Sequence, residues 1–151
     1  MLVRKATFHD VEAMHQIINH YAEKRLMLAR SRNTLYETLR DFVVAEEAGR
    51  IIGVGALHLI WDALAEVRSL AVAPEATGRG VGRRIVETLS EEAKELGVKT
   101  LFALTYQREF FERLGFHEVP KEKLLHKVWK ECINCPKFPN CDEIAVVKNI
   151  E

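Results

Sequence analysis

Several things are scarce in this sequence. No apolar run approaches the roughly 20 residues that span a bilayer, and Met1 to Ala6 holds no signal-peptide core. A cytoplasmic protein without a membrane partner is expected. Net charge is missing too: 22 Lys and Arg offset 22 Asp and Glu. A general nucleic-acid binder needs a basic excess to hold phosphates, so none is expected. No repeat and no Gly/Ser- or Pro-rich linker interrupts the chain. Its 151 residues therefore read as one domain, 1–151, with 126–151 as a cysteine-containing C-terminal segment. A Walker loop is also lacking, because Gly82 is followed by Arg83 and Arg84 rather than by Lys and Ser or Thr.

What the sequence does have is a regular alternation of elements. Leu2 to Ala6 reads as a strand. Asp10 caps a helix with Val11, Met14, Ile17, Ile18 and Tyr21 at helical spacing. Thr34 and Glu37 form a capping-box pattern for a short second helix. Phe42 to Glu47 and Ile51 to Ile60 form a hairpin across Ala48-Gly49, and Leu64 to Val72 is a further strand. A long helix, Gly80 to Leu96, carries Val81, Ile85, Leu89, Ala93 and Leu96 on one face and stops at Gly97. A strand at Thr100 to Leu104, a helix at Arg108 to Leu114 and strands at Phe116 to Val119 and Ile144 to Lys148 complete the order. This order predicts an α+β class, a mixed sheet flanked by helices.

The densest chemical signal is Gly78-Arg79-Gly80-Val81-Gly82-Arg83, between a strand with a proline stop at Pro74 and the long helix. Glycine lets backbone approach a ligand closely. The first helical turn adds unpaired N–H groups and the positive end of the helix dipole. Together they make a socket for a phosphate or pyrophosphate. The dinucleotide fingerprint G-x-G-x-x-G does not fit, since the spacing here is G-x-G-x-G and lies mid-chain.

The segment resembles motif A of the GCN5-related N-acetyltransferase (GNAT) superfamily, whose Arg/Gln-x-x-Gly-x-Gly/Ala loop binds the pyrophosphate of acetyl-coenzyme A. Thr77 stands at the Arg/Gln position. The element order is also that of the GNAT fold, with a mixed, mostly antiparallel sheet. The resemblance implies that Gly78 to Arg83 hold the pyrophosphate and that Leu70, Ala71 and Val72 face the pantetheine arm. It makes Glu66 the base that takes the amine proton through water; His58, in a strand that could face the acceptor pocket, is an alternative base by position alone. Phe110-Phe111-Glu112-Arg113-Leu114-Gly115-Phe116 resembles Phe-Tyr-x-x-x-Gly-Phe, but Phe111 replaces the tyrosine that often protonates the thiolate. Tyr106 is the substitute acid; otherwise the thiolate leaves unaided.

Arg30-Ser31-Arg32, the Glu66…Ala71-Val72…Pro74 pattern and the Phe-Phe pair are similar to the catalytic domain of N-acetylglutamate synthases. That similarity implies a short, stand-alone amino-acid N-acetyltransferase acting on glutamate in arginine biosynthesis. Arg30, Arg32 and Arg68 are then the candidate carboxylate clamps, because Arg suits bidentate recognition. A protein N-terminus, a lysine or a polyamine is the alternative acceptor. A non-catalytic acyl-coenzyme A-binding or metal-sensing module is the alternative class. Homodimerisation is expected from the resemblance alone.

Cys132, Cys135 and Cys141 have the spacing C-x2-C-x5-C. Two thiolates on a tight turn suit structural zinc, with His126, Asp142 or His117 as the fourth ligand. An iron–sulfur cluster or a set of reduced thiols is the alternative.

Overall fold

The computed structural model describes residues 1–121, 124 and 143–150. The three cysteines, His126 and Asp142 lie outside the described residues, while His117 is exposed at the start of a strand. The strands are β1 Leu2–Lys5, β2 Phe42–Glu47, β3 Arg50–Trp61, β4 Leu64–Val72, β5 Thr100–Thr105, β6 His117–Val119 and β7 Ile144–Asn149. The helices are α1 Val11–Ala22, α2 Arg32–Glu37, α3 Val81–Glu95 and α4 Arg108–Arg113. The strands form one sheet in the order β1-β2-β3-β4-β5-β7-β6. Neighbours are antiparallel except for β4 and β5, which run parallel. The α+β class and the mostly antiparallel sheet match the expectation. Among the described residues no helix is long and apolar enough to cross a membrane.

One face of the sheet carries α3, whose apolar residues Val81, Ile85, Leu89 and Ala93 are buried, whereas Leu96, expected on the same face, is the C-cap and stands exposed. The helix sits close because β3 offers it no side chain at Gly53 or Gly55. A Cβ on Gly55 would stand 2.6 Å from Ile85 Cγ2, a clash that would push α3 away. The other face, with Val54 and Ala56 almost fully buried, is covered by α1, whose Met14 and Ile18 are wholly inside.

Two helix starts differ from the sequence expectation. Ser31, not Thr34, caps α2, its side chain accepting the Thr34 N–H at 3.1 Å. Asp10 does precede α1, but its carboxylate turns back to accept the Thr7 N–H at 2.8 Å and both terminal nitrogens of the Arg4 guanidinium at 2.8 and 2.9 Å. Arg4 also donates to Glu46 on β2 at 2.8 Å. This cluster ties β1, the turn before α1 and β2 together, and its bonds to Arg4 hold the Asp10 carboxyl below its usual range. Asp10 therefore adds stability above its unfolded pKa of about 3.9, and that stability is lost as pH falls through the lower folded value. Asp10→Asn should cost about 2 kcal/mol at neutral pH. The cost should shrink on acidification, which denaturant melts at pH 7 and pH 3 would measure.

Candidate active site

The glycine loop expected to be a phosphate socket begins where β4 ends. The Ala73 N–H is still held by the Ile52 carbonyl at 2.8 Å, and Pro74–Ala76 then makes one tight turn. Gly78 and Gly80 follow with φ of +77° and +79°, and open space surrounds the position of a Cβ at each. Left-handed backbone of this kind favours glycine. Gly80 is the N-cap of the 15-residue α3 and supplies no side chain to its first N–H groups, so these are left for a ligand. Val81 is buried beneath the loop. Gly82 faces Phe110 and Val72, with a Cβ there only 3.3 Å from Phe110. Arg79 turns aside to pair with Glu47 of β2, and this pairing keeps the Glu47 carboxyl below its ordinary value. Arg83 lies 3.4 Å from Glu87, one turn along α3. Arg79 thus stands within the loop and Arg83 in the first turn of α3, each paired with a carboxylate.

Beside the socket the sheet opens. β4 and β5 pair at Leu64–Thr100, Ala65–Leu101 and Glu66–Phe102, and no pairing continues beyond. Ala73 and Ile52 are hydrogen-bonded partners across β3 and β4, and strand groups alternate in direction. The N–H and C=O of Val72 therefore point away from β3, into the gap. The Tyr21 hydroxyl, from α1, donates to that carbonyl. Ala71 is buried opposite Val54, and the Leu70 side chain lies toward α3.

The cause of the opening is a bulge. Val54 pairs with Ala71 but Ala56 with Arg68, so Ser69 and Leu70 together oppose Gly55. Ser69 takes a φ of +55°, a conformation uncommon outside glycine and frequent at functional sites. Bulges bend a strand and re-aim its side chains. Nothing in the sequence marks a serine for this role.

The bulge separates the socket from a polar group on the α1 face. The Glu66 side chain is 11% exposed and that of Arg68 16%. Arg68 Nε and Nη2 both donate to Glu66 Oε1, at 3.1 and 2.7 Å. Arg30 reaches in from the segment before α2, its Nε 3.3 Å from Ser69 Oγ. His58 is the Cα partner of Glu66 across β3 and β4, and its Nδ1 is 2.8 Å from Asp41 Oδ2. The structure thus gathers Glu66, Arg68, Arg30 and His58. Arg32 does not join them: it pairs with Glu12 of α1 at 2.7 Å, both side chains more than half exposed. Its guanidinium is engaged in that surface pair, as that of Arg68 is with Glu66. Tyr106 is half-buried just past the end of β5, where Thr105 Oγ1 accepts the Gln107 N–H at 2.7 Å. Phe111 is buried and packs edge-on against Phe110 and Phe116, each 5.1 Å away between ring centres. Asp41, Ser69 and Tyr21 are the site neighbours that the sequence did not reveal.

Residues 9–116 match the sequence model of the Acetyltransferase (GNAT) family. The chain belongs to that family. It is 43% identical over 148 residues to an uncharacterized N-acetyltransferase of Chlorobaculum tepidum, covering 98% of this chain and 96% of that one. It is 40% identical to an amino-acid acetyltransferase of Mycobacterium tuberculosis, over 86% of this chain and 76% of that protein. In structure it is similar to Rv2747 of Mycobacterium tuberculosis, solved with coenzyme A and a second ligand, with a TM-score of 0.89, 33% identity and full coverage of both chains. The N-acetylglutamate synthase of Neisseria gonorrhoeae, solved with coenzyme A and N-acetyl-glutamate, superimposes with a TM-score of 0.90 at 26% identity. This chain spans 35% of that larger protein.

Proposed function

We propose that this GNAT protein transfers the acetyl group of acetyl-coenzyme A to the α-amine of a small amino acid, glutamate first among them, at the entry to arginine biosynthesis. The observation that carries the reading is the meeting of Arg30 and Arg68 with Glu66 at the Ser69 bulge, directly beside the opening in the sheet. An amino-acid acceptor needs cations for its carboxylates and a base for its ammonium, and these residues supply both. The family's M. tuberculosis and N. gonorrhoeae members, named for amino-acid acetylation and N-acetylglutamate synthesis, support the same substrate class.

In this reading the loop from Gly78 to Gly82 holds the pyrophosphate and the free edge of β4 at Val72 takes the pantetheine arm. Glu66 takes a proton from the acceptor ammonium through water, so that the amine lone pair can attack the thioester carbon. The carbonyl oxygen gains charge as the C–N bond forms, and backbone N–H groups along the opened β4 stabilise it. The C–S bond then breaks. The thiolate is protonated by Tyr106 or leaves as it is, since a thiol pKa near 8.5 makes it a fair leaving group.

Thiol release from acetyl-coenzyme A with a panel of amino acids, peptides and polyamines tests this. Release with glutamate is expected. Arg30→Ala should raise KM for glutamate about 10- to 100-fold, the worth of one lost charge-assisted hydrogen-bonding partner. KM for acetyl-coenzyme A should stay put, because Arg30 lies across the bulge from the socket. Release only with a peptide or polyamine would replace the acceptor. Cofactor binding without release would favour a non-catalytic module, for which the hydroxyl-less Phe111 speaks.

A further inference from the structure

We infer that His58, oriented by Asp41, is the exit for the proton that Glu66 removes from the acceptor; the inference rests on Glu66 being the base. An acceptor ammonium carries three N–H hydrogens and the amide product keeps one. Of the two protons released, one is taken up by the coenzyme A thiolate and one must reach solvent in every turnover. Glu66 cannot easily deliver it directly, because its side chain is only 11% exposed. On one side it is held by Arg68, which carries no acceptor site for a proton.

Its neighbour on β3 is different. Glu66 and His58 stand directly opposite in the antiparallel ladder. Residues so placed share a face of the sheet, with Cβ atoms roughly 4.5–5.5 Å apart. β3 lies between β2 and β4, and Asp41 precedes β2, so His58 sits between Asp41 and Glu66. Side-chain exposure rises from 11% at Glu66 to 35% at His58, with Asp41 at 30%. The path therefore runs from the buried base to water. An ionised carboxylate only accepts, so Asp41 fixes the proton on Nδ1 and leaves the Nε2 lone pair as the acceptor. A proton passed from Glu66 to Nε2 gives an imidazolium held by Asp41, and Nε2 then releases it to solvent. Among the described residues no group of three His, Cys, Asp or Glu side chains is placed to hold a metal ion, so the trio is not a metal site. His58 acts through Glu66 and is a positioning and relay residue.

The test compares His58→Gln, Asp41→Asn and Glu66→Gln by steady-state rates and by stopped flow with a pH indicator and a thiol reagent read together. In dilute buffer His58→Gln should lower kcat about tenfold, less than the roughly 10²- to 10⁴-fold typical of a positioned acid or base because water offers a bypass. Its KM values should change less than about twofold, and added imidazole should restore the rate. In its first turnover proton release should lag behind thiol release, a delay that a purely structural defect does not produce. Asp41→Asn should show a smaller fall with the same rescue, and it decides the matter if His58→Gln does not fold. A full rate in both variants, or a lost rate that imidazole does not restore with proton and thiol in step, would overturn the relay. Failure of the underlying reading looks different: Glu66→Gln would keep its rate. If His58→Gln still lost activity in that case, His58 would be the base itself and the relay would be overturned.

Discussion

Replacing Glu66 with Gln lowers kcat about 100-fold or more and leaves KM for acetyl-coenzyme A within about twofold. That is the expectation if Glu66 is the base, since a positioned base contributes typically 10²- to 10⁴-fold. The substitution is unusually clean here. Both bonds from Arg68 end on the same carboxylate oxygen, Oε1, and a glutamine carbonyl can accept them in the same place. The fold and the clamp are thus kept while the second oxygen becomes an amide that cannot take a proton. Arg68→Ala would lack this virtue, because it strips the ion pair from a nearly buried carboxylate. Steady-state kinetics with thermal melting would check the result. An unchanged kcat in a folded Glu66→Gln variant would remove Glu66 from the mechanism.

The second large effect belongs to the socket. Gly80→Asp should weaken coenzyme A binding at least about 100-fold, measured by calorimetric titration. Two unit charges 4 Å apart repel by about 4 kcal/mol at an effective dielectric constant of 20, and exposure of the loop reduces this. Helix destabilisation is not the cause to fear, because Asp is a favoured N-cap and tolerates the left-handed backbone that Gly80 adopts better than most residues. Gly80→Asn keeps the shape without the charge and serves as the control. It should bind far better than the aspartate variant. Gly82→Asp should fail as well, for charge and for its crowding of Phe110. Wild-type affinity in Gly80→Asp would move the pyrophosphate elsewhere.

The fold is legible in the sequence where one strong local signal governs an element. The apolar run of β4 closed by Pro74, the stripe of α3 as far as Ala93 and the Ala48-Gly49 hairpin all lie where their patterns put them, while Leu96 falls past the last turn and is exposed. It is not legible where two local signals compete or where a residue is claimed from far along the chain. Ser31 and Thr34 both fit a helix cap, and only the path of the backbone selects Ser31. Asp10 was drawn off by Arg4 on the neighbouring strand. The different settings of the three arginines are not legible in sequence, because Glu12, the partner of Arg32, lies on α1 and meets it only in the fold. Tyr21 fits an apolar helical stripe, and its hydroxyl has a use only because Val72 lies beside it in space. The Ser69 bulge was hidden for a related reason: its positive φ is imposed by pairing on both sides, and serine gives no local hint of it.

The early parting of β4 and β5 has a consequence for how the protein coexists with others. A strand edge with unsatisfied N–H and C=O groups invites another chain to add to it, and proteins usually keep such edges short, charged or covered. Here the free edge of β4 lies inside the sheet, flanked by β5 and approached by Tyr21. The two strands still join at Glu66 and Phe102, so this edge is bounded by its own sheet and does not lie at the rim. In the proposed function the opening offers sheet-like hydrogen bonding to the pantetheine arm, away from the rim where a neighbouring polypeptide would add.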